Sequence, residues 1–216
     1  AHWQQPHPAV TPQAQDFVAD PTDGDRAYLV TSQLPSRVLI STDAGVTFST
    51  LFTFANVATP TRIAVSADGN TLYAICDTRV FRSTNRGNSW QQRTDVASSS
   101  FFAGNIALVD PSDASTLYLV RNDQILVTHD GGGAWTNIAP PMTAGVEDFA
   151  IDLADPDVLW AATVSRLQHS TNRGVSWSIA QAGWTVAVTL DPHSPSTVYA
   201  GQVHGSILRP NGATWS

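Results

Sequence analysis

The chain contains no lysine; all eleven of its basic side chains are arginine. It has one cysteine, one methionine and one glutamate, Glu147. Charged residues fill only 13% of the 216 positions, about half the usual share. A single cysteine excludes an intramolecular disulfide. Cys76 sits in the apolar run Tyr73-Ala74-Ile75-Cys76, where an unpaired cysteine acts as a small buried hydrophobe. The net charge of -7 excludes a broad basic surface for nucleic acid or an anionic membrane. No apolar run is long enough to span a bilayer, so no membrane partner is expected. No glycine-rich phosphate loop leads a strand into a helix, and no nucleotide or other cofactor is expected. The six histidines are scattered without zinc-ligand spacing, and no metal is expected. Helical periodicity is also missing, and Gly, Pro and Ser recur too often for long helices.

An eight-residue pattern is present instead, four times over. Ser170 to Trp177 reads STNRGVSW, Ser83 to Trp90 STNRGNSW, Ser41 to Phe48 STDAGVTF and Thr128 to Trp135 THDGGGAW. Its fixed positions are a hydroxyl (Ser41, Ser83, Thr128, Ser170), an Asp or Asn (Asp43, Asn85, Asp130, Asn172), a glycine (Gly45, Gly87, Gly132, Gly174) and an aromatic (Phe48, Trp90, Trp135, Trp177). A degenerate fifth copy keeps Gly212 and Trp215. The Asp or Asn side chain accepts from nearby backbone N–H groups and fixes a turn. The glycine supplies a positive φ, and the aromatic re-enters a sheet and buries a large apolar surface. The box reads as a hairpin stabiliser.

The box glycines are spaced by 42, 45, 42 and 38 residues. Upstream of each lies a short apolar strand with an aromatic: Tyr28, Tyr73, Tyr118, Trp160 and Tyr199. Before each aromatic is an Asp- and Pro- or Gly-bearing turn, and before that another apolar strand. Asp20, Asp23 and Asp25, echoed by Asp152, Asp155 and Asp157, have oxygens suited to calcium. The same turn recurs in every unit without a bidentate Glu, so it reads as a turn stabiliser. Four antiparallel strands in about forty residues, repeated radially, make a propeller blade. The expected fold is an all-β, five-bladed β-propeller of four-stranded antiparallel blades. The blades are expected near 13–55, 56–98, 99–140, 141–183 and 184–216 plus 1–12. The last unit ends just after its box aromatic, and His2-Trp3-Gln4-Gln5 resembles Ser89-Trp90-Gln91-Gln92. The N-terminal strand is therefore expected to complete the last blade and close the ring. A rival reading makes the five units part of a longer array. The chain opens at Ala1 rather than Met, as a processed or excised chain would.

The four boxes resemble the Asp-box, or BNR, repeat, S/T-x-D/N-x-G-x-x-W/F, and cover nearly the whole chain. Such repeats occur in sialidases, xyloglucan-type glycoside hydrolases, sortilin-like receptors and photosystem II assembly factors, whose propellers generally have more blades. The resemblance implies a box on the hairpin of the third and fourth strands, away from the channel where substrates bind. It carries fold rather than function. The sialidase pattern departs here: Arg62-Ile63-Ala64 lacks the proline that follows the first arginine's isoleucine.

A glycosidase needs two carboxylates about 5 to 10 Å apart. Alignment on the aromatic anchors sets Asp16 opposite Asp148 and Gln15 opposite Glu147. The sister units carry Thr61, Ile106 and Ala187 where Asp148 stands. Asp16 and Asp148 are the candidate catalytic pair; the alternative makes them solvated residues at the start of inner strands. Trp184, with Glu147, is the candidate ligand contact at the channel mouth, where an exposed indole stacks on a sugar face; the alternative packs Trp184 between blades. The expected function is non-catalytic binding or scaffolding of a glycan or protein partner by a monomer. A glycoside hydrolase is the alternative. Low charge, absent lysine and abundant Trp and Thr point to an extracellular or periplasmic site.

Overall fold

The computed structural model describes residues 13–32, 34–54, 60–76, 79–95, 106–121, 123–141, 145–211 and 214–215. They form an all-β chain of successive antiparallel sheets. The first orders β1 (Ala14–Ala19), β2 (Ala27–Thr31), β3 (Arg37–Ser41) and β4 (Ser49–Thr53). The second orders β5 (Pro60–Val65), β6 (Leu72–Cys76), β7 (Arg79–Ser83) and β8 (Gln91–Asp95). The third holds β9 (Ile106–Asp110), β10 (Asp113–Arg121), β11 (Gln124–Thr128) and β12 (Thr136–Asn137). The fourth holds β13 (Val146–Ile151), β14 (Leu159–Thr163), β15 (Arg166–Ser170) and β16 (Ser178–Ala182). The fifth shows three strands, β17 (Thr185–Asp191), β18 (Ser194–Gln202) and β19 (Ile207–Leu208). A separate short pair follows, β20 (Pro210–Asn211) and β21 (Thr214–Trp215). There is thus about one sheet per repeat. The expected closing strand within residues 1–12 and the fifth box glycine, Gly212, lie outside the described residues. Among those described, no strand of the fifth sheet pairs with the first.

The sheets stack face to face through apolar clusters at four successive junctions. Tyr28, Val30 and Val38 of the first sheet meet Leu72, Ala74, Cys76 and Phe81 of the second. Cys76 is buried there. Tyr73 and Val80 meet Leu117 and Leu119; Tyr118 and Val127 meet Phe149 and Leu159; Leu167 meets Val188 and Val198. Full burial of each such side chain contributes about 1.5–3 kcal/mol. Strand alternation sends one set of side chains to each neighbour, so internal strands such as β6 are buried on both faces. The anchor tyrosines Tyr28, Tyr73 and Tyr118 are fully buried. Tyr199 of the fifth sheet is only half-buried.

The boxes share one geometry. In each, the glycine N–H donates to the hydroxyl four residues earlier, at 2.8 Å from Gly45 to Ser41 and 2.8 Å from Gly174 to Ser170. The Asp or Asn oxygen accepts the N–H of the residue before the aromatic, as from Thr47 to Asp43 and Ser176 to Asn172. Two consecutive residues take positive φ, the second being the glycine. The first is Ala44, Arg86, Gly131 or Arg173, with φ between 55° and 76°.

The box also docks onto the preceding sheet. A Cβ on Gly87 would stand 2.3 Å from Leu51 Cδ2, and one on Gly174 2.6 Å from Ile138 Cδ1. Trp177 Nε1 donates to the Ile138 carbonyl at 2.8 Å, and the Trp90 ring stacks on Phe52 at 5.6 Å. Each box glycine at an internal junction thus meets two demands, a left-handed backbone and a close approach.

These demands separate by mutation. Gly205 has φ 85° and open space around its Cβ direction. Gly205→Ala should cost about 1 kcal/mol, from backbone strain alone. Gly174→Ala should cost about 2–4 kcal/mol, because overpacking adds to strain. Equal denaturation midpoints for the two variants would refute the close-approach account. A second expectation concerns acid. The Thr47 side chain and N–H, with Ser41, lower the Asp43 carboxyl from an ordinary 3.8 to about 2, and analogous bonds to Thr128 and Ala134 lower Asp130. A carboxyl depressed in the fold stabilises above its unfolded value and ceases to do so as pH falls through its folded one. Stability should therefore decline between about pH 4 and pH 2. Asn85 and Asn172 make the equivalent bonds without titrating. Asp43→Asn with Asp130→Asn should flatten this acid limb in pH-dependent unfolding curves.

Candidate functional site

The inner strands β1, β5, β13 and β17 each begin with a bulge that leaves one residue out of register: Gln15, Thr61, Glu147 and Val186. A bulge re-aims the next side chain. In β1 and β13 that next side chain is Asp16 and Asp148. Asp16 Oδ1 accepts the Phe17 N–H at 2.9 Å, and its Oδ2 accepts the N–H of Ile63, in β5 of the next sheet, at 2.9 Å. Asp148 repeats this, taking Phe149 N–H at 2.9 Å and Val188 N–H of β17 at 2.8 Å. Each carboxylate is a brace across a sheet junction, first to second and fourth to fifth. Charge-assisted bonds to backbone N–H are about twice as strong as neutral ones. The observed register corrects one alignment. The residue of the second sheet in register with Asp16 is Arg62, not Thr61. The turn joining β5 to β6, residues 66–71, is one residue shorter than its sister at 20–26, which shifts the anchor count.

Glu147 and Trp184 lie at the same end. Val203 N–H donates to the Trp184 carbonyl at 3.2 Å, as Val164 does to Gly145 and Ser32 to Gln13. Trp184 therefore occupies the lip position of its sheet, directly before β17, and is 49% exposed. Glu147, on the bulge of β13, is exposed and accepts no hydrogen bond from a described residue. Glu147 and Trp184 thus flank the brace between Asp148 and Val188, on adjacent sheets. Asp16 belongs to a different junction. The sixteen box positions are at the opposite end of the strands. Among the described residues no three His, Cys, Asp or Glu side chains are placed to hold a metal ion, and no helix is long and apolar enough to cross a membrane.

A cavity of about 290 Å³ opens at the opposite, turn-bearing end of the inner strands. Its walls come from β9, β13 and β17, including Leu108, Phe149, Ile151, Val188 and Leu190, with Asp191 on its lining. Sequence reasoning missed this end. Its one available signal was the turn aspartate that recurs as Asp20, Asp110, Asp152 and Asp191.

Two of those four aspartates, Asp20 and Asp110, are neutralised by arginine. Burial pushes the Asp20 carboxyl up, but the Thr22 hydrogen bonds and the charges of Arg86 and Arg26 outweigh it and hold it low. Asp110 is buried and receives Arg173 of the next sheet's box, which also bonds Asp157 at 2.7 Å. Burial works against the Arg173 cation, and these two carboxylates more than restore it, raising its pKa. In the third box Gly131 stands where the arginines stand. Arg82 of the second sheet fills that space and bonds Ser115 at 3.1 Å, its guanidinium 5.7 Å from the Tyr73 ring centre.

The braces predict a stability effect at this site. Asp16→Ala and Asp148→Ala should each cost about 1.5–3 kcal/mol in chemical denaturation, since both strand N–H groups lose an anionic acceptor. Glu147→Gln should change stability by less than about 0.5 kcal/mol. Loss of less than that in both Asp variants would refute the bracing role.

No family model matches the chain, and no curated protein matches it. Solved structures do. An ancestral GH74 enzyme superposes with a TM-score of 0.71 at 19% identity, covering 99% of this chain and 32% of that one. YCF48 from Cyanidioschyzon merolae gives 0.68 at 16% identity, over 98% of this chain and 71% of that one. The GH74 xyloglucanase from Xanthomonas campestris gives 0.65 at 18% identity, over 96% of this chain and 38% of that one. The chain thus spans about a third of the length of these GH74 proteins. With them it shares the β-propeller fold.

Proposed function

We propose that the chain is a non-catalytic binding or scaffolding propeller of the Asp-box type, working as a monomer outside the cell or in the periplasm. It holds a glycan or protein partner at the channel mouth through Trp184 and Glu147. The observation that carries this reading is the engagement of Asp16 and Asp148. Each has both carboxylate oxygens on backbone N–H groups, at two separate sheet junctions. A group holding two sheets together is a poor general acid or nucleophile, because changing its protonation would loosen the junction. The half-exposed indole of Trp184 and the unengaged Glu147 supply a stacking face and an acceptor instead.

The ring is completed, on this reading, by residues 1–12 as the outer strand of the fifth sheet. They would lie against the first box as Leu51 lies against Gly87 and Ile138 against Gly174. Gly45→Ala should then cost as much as Gly174→Ala. A cost no larger than that of Gly205→Ala would leave the first box without a neighbour and the ring unclosed.

The likeness to GH74 enzymes favours a second reading, a glycoside hydrolase using Asp16 and Asp148. Reducing-end assays on xyloglucan and aryl glycosides, run beside a glycan and protein binding screen, separate the two. The binding reading expects no hydrolysis, and a bound partner whose affinity falls at least tenfold in Trp184→Ala. Turnover that Asp148→Asn abolishes, with the fold intact, would establish the enzyme instead.

A further inference from the structure

We infer that the cavity at the turn end of the inner strands docks an arginine-bearing loop of a protein partner, with Asp191 as the receiving anion. This inference concerns the end of the strands opposite Trp184 and stands whether or not the mouth binds. The cavity of about 290 Å³ is lined mostly by apolar side chains, and Asp191 is the sole ionisable residue among the described residues of its lining. That size holds one or two side chains rather than a polymer.

Asp191 differs from Asp20 and Asp110 in one respect; Asp152, which also meets no arginine among the described residues, is buried on the N–H groups of its own turn and is not on the cavity lining. Asp20 has Arg26 at 3.5 Å and Arg86 nearby, and Asp110 has Arg173. Asp191 accepts the His193 N–H at 2.9 Å and meets no arginine among the described residues. Its side chain is 34% exposed, against 0% for Asp20 and Asp110. The one charged neighbour is His193, with Nδ1 3.8 Å away, 94% exposed and cationic only when protonated. The arginines that serve the sisters precede a box glycine, as Arg86 and Arg173 do. The corresponding residue of the first box, which would follow the fifth sheet in a ring, is Ala44. Among the described residues the molecule thus repeats the acceptor at Asp191 without the arginine donor.

An apolar cavity whose lining carries one carboxylate, with no arginine on it among the described residues, selects a cation joined to an apolar group. A guanidinium matches a carboxylate with two parallel N–H bonds. It is also what this fold itself sets on Asp110. A second copy is a poor occupant, since two chains of net charge -7 repel. The occupant is therefore a basic protein segment presenting arginine on a turn beside an aliphatic or aromatic side chain.

The chain's own fourth box is a ready probe. A cyclised, fluorescein-labelled peptide of the sequence of Ser170–Trp177 would be titrated with the whole protein, by anisotropy, at two salt concentrations. The expected result is saturable binding that weakens with salt and falls at least tenfold in the peptide bearing Arg173→Ala. Asp191→Asn in the protein should weaken it as much. So should Thr189→Trp, which fills the cavity from an exposed position on its wall, provided its unfolding midpoint matches the parent. Trp184→Ala should leave affinity unchanged. No binding at millimolar peptide, equal binding of the two peptides, an Asp191→Asn protein with full affinity, or loss of affinity in Trp184→Ala would each overturn the assignment.

Discussion

The contact between a box glycine and the outer strand of the sheet before it sets the spacing of the internal sheets. The positive φ pair folds the chain back tightly, and the missing side chain lets Leu51 or Ile138 come within van der Waals reach. With the strand brought that close, the box tryptophan reaches the same strand, as Trp177 does through the Ile138 carbonyl. The anchor tyrosines then close the interior on both sides. Remove the approach and the apolar clusters at a junction separate, because dispersion falls off steeply with even a small gap. The hydroxyl and the Asp or Asn preset the turn. The glycine and the aromatic join it to its neighbour.

The far end of each strand is handled differently. No box reaches it, and at two junctions a single carboxylate does the joining. Asp16 and Asp148 each follow a bulge, which turns the side chain along the sheet edge toward the neighbour's N–H. The sister positions Arg62, Ile106 and Ala187 offer no such acceptor. The brace thus explains why acids stand at these two places, a pattern that on sequence grounds looked chemical. Two isolated acids in equivalent positions are what a catalytic pair and a repeated brace have in common. The partner N–H groups are what the structure adds to that pattern.

The repeat period, the strand order and the turn role of the boxes were legible because each has a local cause. A positive φ needs glycine, a buried strand needs an apolar run, and an Asx turn needs Asp or Asn. The left-handed Arg86 and Arg173 were not legible, since nothing local asks for arginine there. Their reason is Asn70 for one, and Asp110 and Asp157 for the other. The register of Arg62 was hidden by a turn one residue shorter than its sisters. The turn-end cavity was hidden because it is built by three sheets at once. The equivalence of Trp184 to Gly145 follows from the count between anchors, and the paired carbonyl contacts reproduce it.

Repetition makes departures from the repeat informative. Where every unit spends a residue on joining its neighbour, that residue says nothing of function, and this applies to the boxes and to Asp20 and Asp110. Function is to be sought where a unit keeps half of a joining device without the other half. Glu147 sits on a bulge whose neighbouring acid is occupied, yet is itself exposed and accepts no hydrogen bond from a described residue. Asp191 keeps the turn, meets no arginine among the described residues, and is on the lining of a cavity. The two ends of the inner strands thus differ in what they are suited to receive. The starting end carries the exposed Trp184 and Glu147, and the turn end a small apolar recess with Asp191 on its lining.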